Sequence, residues 1–446
     1  MANATAEPTT ENWNRKTWRL AGPVILSNVS VPLLVAVDTA VVGHLPGPHY
    51  LGAVAVGGLI VGVVWNMFNF LRMGTTGLTA QSLGARHPDE VRAWLLRAGL
   101  LALAIGAALI AVQAPILWAS LILIDPSPEV RPLTEAYYSV AVWGSPMALV
   151  NFAMLGWFFG IQNTRAALAT QIFMNGVNIA LDLWFVLGLG WGVPGVAWAT
   201  VISQGAAVAV GLMLAGRDLR RIGGRWHPAA AFDVARLARM VRVNGDILIR
   251  SLCLQAAFII LTGIGARMGD VVLAANAILM NFQMFMAFAL DGFANAAEAL
   301  TGEAIGARDR ARFRQAVGAT TRWALGFSLC FSIFYFAIGG VLIDVITGVA
   351  EVRGAARVYL PWLVALPMIS VWSYQLDGIF IGSTWTAEMR NGMAASLMVF
   401  AGLLWLLVPA MANHGLWLAF TVFMVTRALT LGAVYPRLEA RIGGAA

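Results

Sequence analysis

Two aspartates, Asp38 and Asp182, stand well inside runs of apolar sequence long enough to cross a membrane. An Asp at the centre of a membrane helix costs roughly 2.5 to 3.5 kcal/mol on insertion scales, so such a residue normally faces a protein interior or a wet cavity and marks an ion or proton path. The chemistry open to two such groups is proton or cation exchange, because carboxyls held together away from bulk water titrate as a pair. Asp182 has company on its own helix. Gln171, Asn175, Asn178 and Asp182 follow i, i+4, i+7, i+11 and share one face. That polar stripe is either a hydrogen-bonded seam between helices or the lining of a cavity. Asp38 has mostly apolar neighbours on its face, Ser27, Val31 and Val35, and must find partners on another helix. It lies about 18 to 20 residues into its span and Asp182 about 16 into its own. Similar depth permits contact.

The elements that position these residues follow from composition. Of 446 residues, 59% are hydrophobic and only 11% charged, too few to coat a soluble globule, where about 25% is usual. Apolar runs of about 20 residues, the length that crosses ~30 Å of hydrocarbon, occur twelve times, from 18–43 to 415–437. The expected fold is all-α: a polytopic membrane protein of twelve transmembrane helices. The first residues are polar and no cleavable leader pattern is present, so the N-terminus is expected to stay uncleaved. With it inside, 22 of the 29 basic residues fall on inner segments, the bias that sets orientation. Multi-pass insertion in a bacterial-type cytoplasmic (inner) membrane with both termini cytoplasmic is the expectation. The net charge of +7 then reflects topology and contact with membrane lipid, not nucleic acid. Cys253 and Cys330 lack metal-ligand company and read as core residues.

An internal repeat organises the chain. LTAQSLGAR at 78–86 and LTGEAIGAR at 300–308 match at five of nine positions, 222 residues apart. The same offset pairs Gly156, Phe158, Gly160 and Thr164 with Gly378, Phe380, Gly382 and Thr386. Two six-helix lobes of like orientation, related by an axis along the membrane normal, follow from one constant offset. The expected division is an N-lobe at 1–215, an Arg-rich cytoplasmic linker at 216–242 and a C-lobe at 243–446. The offset places Asp38 on Ile260, Asn178 on Phe400 and Asp182 on Leu404, so the scaffold does not require these polar groups. A specialised site in the first half is the reading this favours. In the second half Asp291 falls on Asn69, and Asp377 continues a stripe through Ser370, Ser373 and Tyr374. Asp377, Tyr374 and Asp291 are secondary candidates. Glu298 and Glu303, beside Arg308 and Arg310, read as helix-end ion pairs.

GPVILSNVSVPLLVAVDTAVVGHL, the LTAQSLGAR segment, NIALDLWFVLGLGWGVPGVAWATVISQ and LDGIFIGSTWTAEMRNGM resemble the multidrug and toxic compound extrusion (MATE) transporters, in the branch of DNA-damage-inducible F. The resemblance implies export of cationic or amphipathic compounds driven by H+ or Na+. It also implies an ion-coupling network at Asp38, Asn178, Asp182 and Thr200, and a helix bend at the Pro23 position. Pro32, in the same helix, is a second candidate bend, since each Pro interrupts the hydrogen-bond ladder. The resulting expectation is a secondary antiporter, acting as a monomer without cofactor, that takes up H+ or, as the alternative, Na+ at the acid pair and releases a small organic cation or amphipathic drug. Met280, Met284 and Phe288 in the eighth span suit a varied amphipathic substrate, although Met and Phe stripes are commonly packing.

Other classes fit less well. An ATP-driven pump needs a phosphate-binding GxxxxGK[ST], which is absent. The five His never form HExxH, so a metal-dependent membrane enzyme is disfavoured. A flippase for lipid or lipid-linked oligosaccharide on the same plan should line its cavity with Arg, whereas the deep charges read as mainly acidic. A passive channel would not need a lone acid pair in one of two duplicated halves.

Overall fold

The computed structural model describes residues 12–443, without the side chains of 29–36, 228 and 231. The described residues are almost wholly helical and contain no strand. The long helices are α1 Trp13–Val42, α2 Pro48–Gly84, α3 Pro88–Ala111, α4 Val130–Gly160, α5 Thr164–Gly188, α6 Gly192–Ile222, α7 Val234–Arg267, α8 Asp270–Gly306, α9 Arg310–Ile346 and α10 Ala350–Ser383, with short helices at Gln113–Ile124 and Pro228–Ala231. A last stretch, Thr386–Arg441, has 56 residues and, if straight, would run roughly 80 Å, far beyond the bilayer. It turns at Ala412, whose φ is 48°, giving α11 (386–411) and α12 (413–441). Asn413 and Asn276 of α8 donate to one another at 2.9 and 2.8 Å, and the Trp417 indole donates to Asn276 at 2.9 Å, fixing that turn. The chain is therefore an all-α polytopic membrane protein; among the described residues ten helical stretches besides α1 are long and apolar enough to cross a membrane, and the turn at Ala412 divides the last of them in two.

Four helices that start at the end carrying the termini have Asn or Asp caps: Asn12, Asn163, Asp233 and Asp309 each accept a backbone N–H of the first turn. Such caps each contribute about 1 kcal/mol in typical hosts. The Arg236 amide, with that of Ala235 and the Arg236 charge, holds the Asp233 carboxyl below its usual range. The segment 216–242 is mostly helix. α6 runs to Ile222 and α7 begins at Val234, so only 223–233 connects them, pinned by Arg92 donating to the Leu219 and Gly223 carbonyls.

The repeat motifs meet face to face. Gly84 of α2 packs on the Glu303 carbonyl of α8, and Gly306 of α8 packs on the Gln81 carbonyl of α2. Both glycines and both carbonyl residues are one repeat offset apart, and a Cβ at either glycine would strike backbone. This explains the Gly in both motifs: two helices cross there with no side chain between them. Gln81 also donates to the Gly382 carbonyl at 2.9 Å, and Lys16 pairs with Glu303 at 3.0 Å. Hydrogen bonds between the two halves of the chain cluster at this end.

Each half has its own apolar core, the first around Leu71, Trp94 and Trp157, the second around Phe293, Phe400 and Phe420. The cores exchange helix ends. Leu20 and Ala21 of α1 pack into the second core, while Met240, Val243 and Ile247 of α7 pack into the first. Outer faces carry exposed Trp405, Phe336 and Val345, as a lipid-facing surface should. Cys330 is exposed on α9 and Cys253 is half-buried, so neither is the core residue expected. An apolar membrane surface requires no burial within protein.

Candidate functional site

The polar face of α5 points inward. Asn175, Asn178 and Asp182 are buried, while Ile172, Phe173 and Gly176 on the opposite face are exposed. Asp182 is the last α-helical residue before a π-helical turn at Leu183–Gly188, a widening frequently found at functional positions. Its carboxyl is fully buried and meets that of Asp38 on α1 in a side-chain hydrogen-bonding contact. The Asn178 amide, oriented to satisfy both its neighbours, donates to Asp182 at 3.2 Å and accepts the Thr200 backbone N–H at 3.3 Å. Thr200 Oγ1 donates to the Val196 carbonyl at 3.1 Å, and its side chain is also hydrogen-bonded to Tyr137 of α4. The Oδ1 atoms of Asp38 and Asp182 are buried and have no protein partner. The four residues singled out from sequence thus share one cluster.

Tyr137 is the member that sequence reading missed. It is 6% exposed and its ring lies against Gly57 of α2, where any Cβ would collide with it. Tyr137 falls on the apolar face of its segment, opposite Arg131, Glu135 and Ser139, and so reads as packing.

Pro23 lies within α1, which remains helical across it. Proline has no N–H, so the carbonyl four residues earlier, on Arg19, loses its ladder partner. Thr164 Oγ1 at the start of α5 donates to that carbonyl at 3.1 Å. The freed acceptor is therefore satisfied by the helix that carries Asp182. Pro32 belongs to the segment whose side chains lie outside the described residues.

The second half differs from expectation. Asp377 does not extend an open polar stripe: it is buried and held by Arg250 at 2.5 Å and Arg427 at 2.7 Å. The Arg427 guanidinium also lies over the Tyr374 ring, 6.0 Å from its centroid. Asp291 faces the same arginines and Arg72 of α2, which donates to Asn69 at 3.2 Å and to Asn295 of α8. Glu298 is 2% exposed and turns inward beside Arg72 and Thr76, not toward Arg308 and Arg310. Arg310 pairs instead with Glu439 at 3.0 Å. The deep charges are thus mixed rather than mainly acidic. Arg72, Arg250 and Arg427 lie far apart in sequence, and only helix packing brings them to one place. Of the eighth-span residues, Met280 packs against the second core, Met284 is exposed, and the Phe288 carbonyl accepts Asn28 at 3.0 Å. No group of three or more His, Cys, Asp or Glu suited to a metal occurs among the described residues.

Comparison with known proteins agrees with this architecture. The MatE family model matches residues 23–184 and again 247–406. DNA damage-inducible protein F of Escherichia coli K12 is 41% identical over 424 residues, covering 95% of this chain and 92% of that protein. A probable multidrug resistance protein NorM of Deinococcus radiodurans is 27% identical over 440 residues, 94% of each chain. A crystal structure of a MATE protein in a bent conformation superposes with a TM-score of 0.84 at 19% identity over 96% of both chains. An outward-facing multidrug resistance MATE transporter of the MOP superfamily superposes at 0.83 and 20% identity, again over 96% of both. At such identities the structures speak for the fold, whereas the family match and the 41% relative speak for descent. The chain belongs to the MATE family of membrane transporters, in the branch of DNA damage-inducible protein F, and is not an enzyme.

Proposed function

We propose that this chain exports organic cations and amphipathic compounds in exchange for H+, with the Asp38 and Asp182 pair as the proton carrier. The observation that carries this reading is the contact between the half-buried Asp38 carboxyl and the buried Asp182 carboxyl, beside Asn178, Thr200 and Tyr137. One proton between two carboxyl oxygens turns like-charge repulsion into a hydrogen bond. Loss of that proton drives the groups apart. Since Asp38 is on α1 and Asp182 on α5, proton occupancy sets how closely these helices pack. The Pro23 gap in α1 gives a place to bend, and Thr164 links that gap to α5. Contacts between the halves concentrate at the end carrying the termini, which we assign to the cytoplasm of a bacterial-type inner membrane. This arrangement suits a state closed inside and open outside, in which H+ enters and substrate leaves. The E. coli and D. radiodurans relatives are named for DNA damage induction and multidrug resistance, which supports a toxic organic substrate.

Na+ is the second reading, favoured by the buried Oδ1 atoms of Asp38 and Asp182, which have no protein partner. A lipid or lipid-linked oligosaccharide cargo is less favoured, because two of the three deep arginines are already engaged by Asp377. The test is efflux of a cationic dye from proteoliposomes under an imposed pH gradient or, separately, a Na+ gradient. The proposal expects the pH gradient alone to drive efflux. Efflux driven only by Na+ would replace H+ as the coupling ion, and no efflux under either gradient would overturn the antiport reading.

A further inference from the structure

A cavity of about 850 Å³ opens beside the first turns of α1, at the end of the molecule opposite the acid pair. Arg15, Lys16 and Arg19 of α1 line it together with Gln162 and Arg165, which flank the start of α5. Four cationic side chains thus face one space. The acid at hand is Glu303, which pairs with Lys16 at 3.0 Å and accepts Gln162 at 2.6 Å. Arg15, Arg19 and Arg165 make no ion pair among the described residues. Three guanidiniums gathered round one cavity repel one another, and an anion seated among them would relieve that repulsion.

We propose that this cavity binds a phosphate-bearing anion, with the guanidiniums of Arg19 and Arg165 as its principal donors. Phosphate matches the forked N–H geometry of Arg, which makes paired, charge-assisted bonds. The surroundings fix the depth. The Lys16 ammonium lies 5.2 Å from the Trp13 ring centroid, and Trp18 packs edge-on against Trp323 at 5.1 Å. The Trp323 indole donates to Asn14 at 3.2 Å. Clustered Trp of this kind marks the membrane–water boundary, where phospholipid phosphodiesters lie and where basic pockets between helices take anionic headgroups. Leu20 and Ile161 add an apolar edge that an acyl chain can follow. The site joins the base of α1, below the Pro23 gap, to the start of α5, next to the Thr164 bond to the Arg19 carbonyl. An anion held there fastens the lower end of the bending helix, so occupancy favours the arrangement seen here. None of this depends on which ion drives transport.

The test uses the purified full-length chain in neutral detergent. Dihexanoyl phosphatidylglycerol, dihexanoyl phosphatidylcholine and inorganic phosphate are each titrated, with affinity read by calorimetry and thermal unfolding. Phosphatidylglycerol is expected to bind and raise the melting temperature, and phosphatidylcholine to do neither. Binding of inorganic phosphate at comparable strength would identify free phosphate as the ligand source, and binding of phosphatidylglycerol alone would identify the lipid. Arg19→Gln with Arg165→Gln should weaken binding about tenfold or more, the cost of losing charge-assisted bonds, while the Lys pair at these positions, which keeps the charge and loses the fork, recovers only part of it. Where the Gln pair does not fold, Arg15→Gln on the exposed first turn serves instead, with about a threefold loss expected. No response to either phosphatidylglycerol or phosphate, an equal response to phosphatidylcholine, or unchanged affinity in a folded Gln variant would overturn the proposal.

Discussion

Gly306 of α8 is seated against the backbone carbonyl of Gln81 in α2, and the repeat returns the same contact between Gly84 and the Glu303 carbonyl. Two helices touch backbone to backbone at the point where the halves of the chain meet. Gly306→Leu should therefore force this end apart. Overpacking of a tight site typically costs about 1 to 3 kcal/mol, so the closed arrangement should lose roughly ten- to a hundredfold in population. Spin labels on the ends of α2 and α8 should report a longer distance than in the parent, and dye efflux should fall. An unchanged distance would show that this crossing is not what closes the end.

The hydrogen bonds behind the acid pair predict a graded series. Tyr137→Phe removes one neutral hydrogen bond, worth about 0.5 to 1.5 kcal/mol, and should slow pH-driven efflux roughly two- to tenfold without loss of folded protein; Thr200→Val removes that bond and the local one to the Val196 carbonyl and should slow it more. Asn178→Leu removes both a donor to Asp182 and the acceptor for the Thr200 N–H, so its effect should be larger. Initial efflux rates at matched protein content give the order. Equal rates across the series would assign the cluster to packing alone.

Asp377 poses a different expectation from Asp38. With Arg250 and Arg427 both upon it, Asp377→Leu leaves two buried guanidiniums facing each other, and breaking a buried ion pair typically costs about 3 to 5 kcal/mol. Arg250→Met keeps the Arg427 partner and should cost much less. Thermal unfolding in detergent distinguishes them. A fully stable Asp377→Leu variant that loses only transport would make Asp377 a coupling residue rather than a structural one.

Pro23 and Thr164 should be thermodynamically coupled. Pro23→Ala restores an N–H to the Arg19 carbonyl, so the melting temperature should rise, a helix-interior Pro costing about 3 kcal/mol in general. Thr164→Val should destabilise the parent, yet cost less in the Pro23→Ala background, where the carbonyl has its own ladder partner. A double-mutant cycle measures this. Strict additivity would mean that the Thr164 bond is independent of the proline gap.

How much of this was legible in sequence depends on the kind of signal. Apolar run length and the positions of Arg and Lys sufficed for the twelve helices, because bilayer thickness imposes a length that periodicity cannot blur. The inward face of α5 was readable from one helical spacing, and its approach to Asp38 from depth alone. The repeat located the Gly84 and Gly306 crossing without revealing that its glycines admit backbone contact. What stayed hidden depends on packing between distant segments. Arg72, Arg250 and Arg427 carry no mutual spacing, Glu298 was drawn by its sequence neighbours toward the wrong partners, and Tyr137 lies on the apolar face of its helix. The Thr164 bond could be inferred only once α1 and α5 were side by side.

Proton movement itself tests the acid pair most directly. In proteoliposomes carrying an internal pH dye and held across a pH gradient, adding a transported cation should quicken dissipation of the gradient in the parent protein. Asp38→Asn and Asp182→Asn should each remove that acceleration while leaving folded, monodisperse protein. Substrate-linked proton flux that persists at the parent rate in Asp38→Asn would contradict the assignment of the proton to this pair.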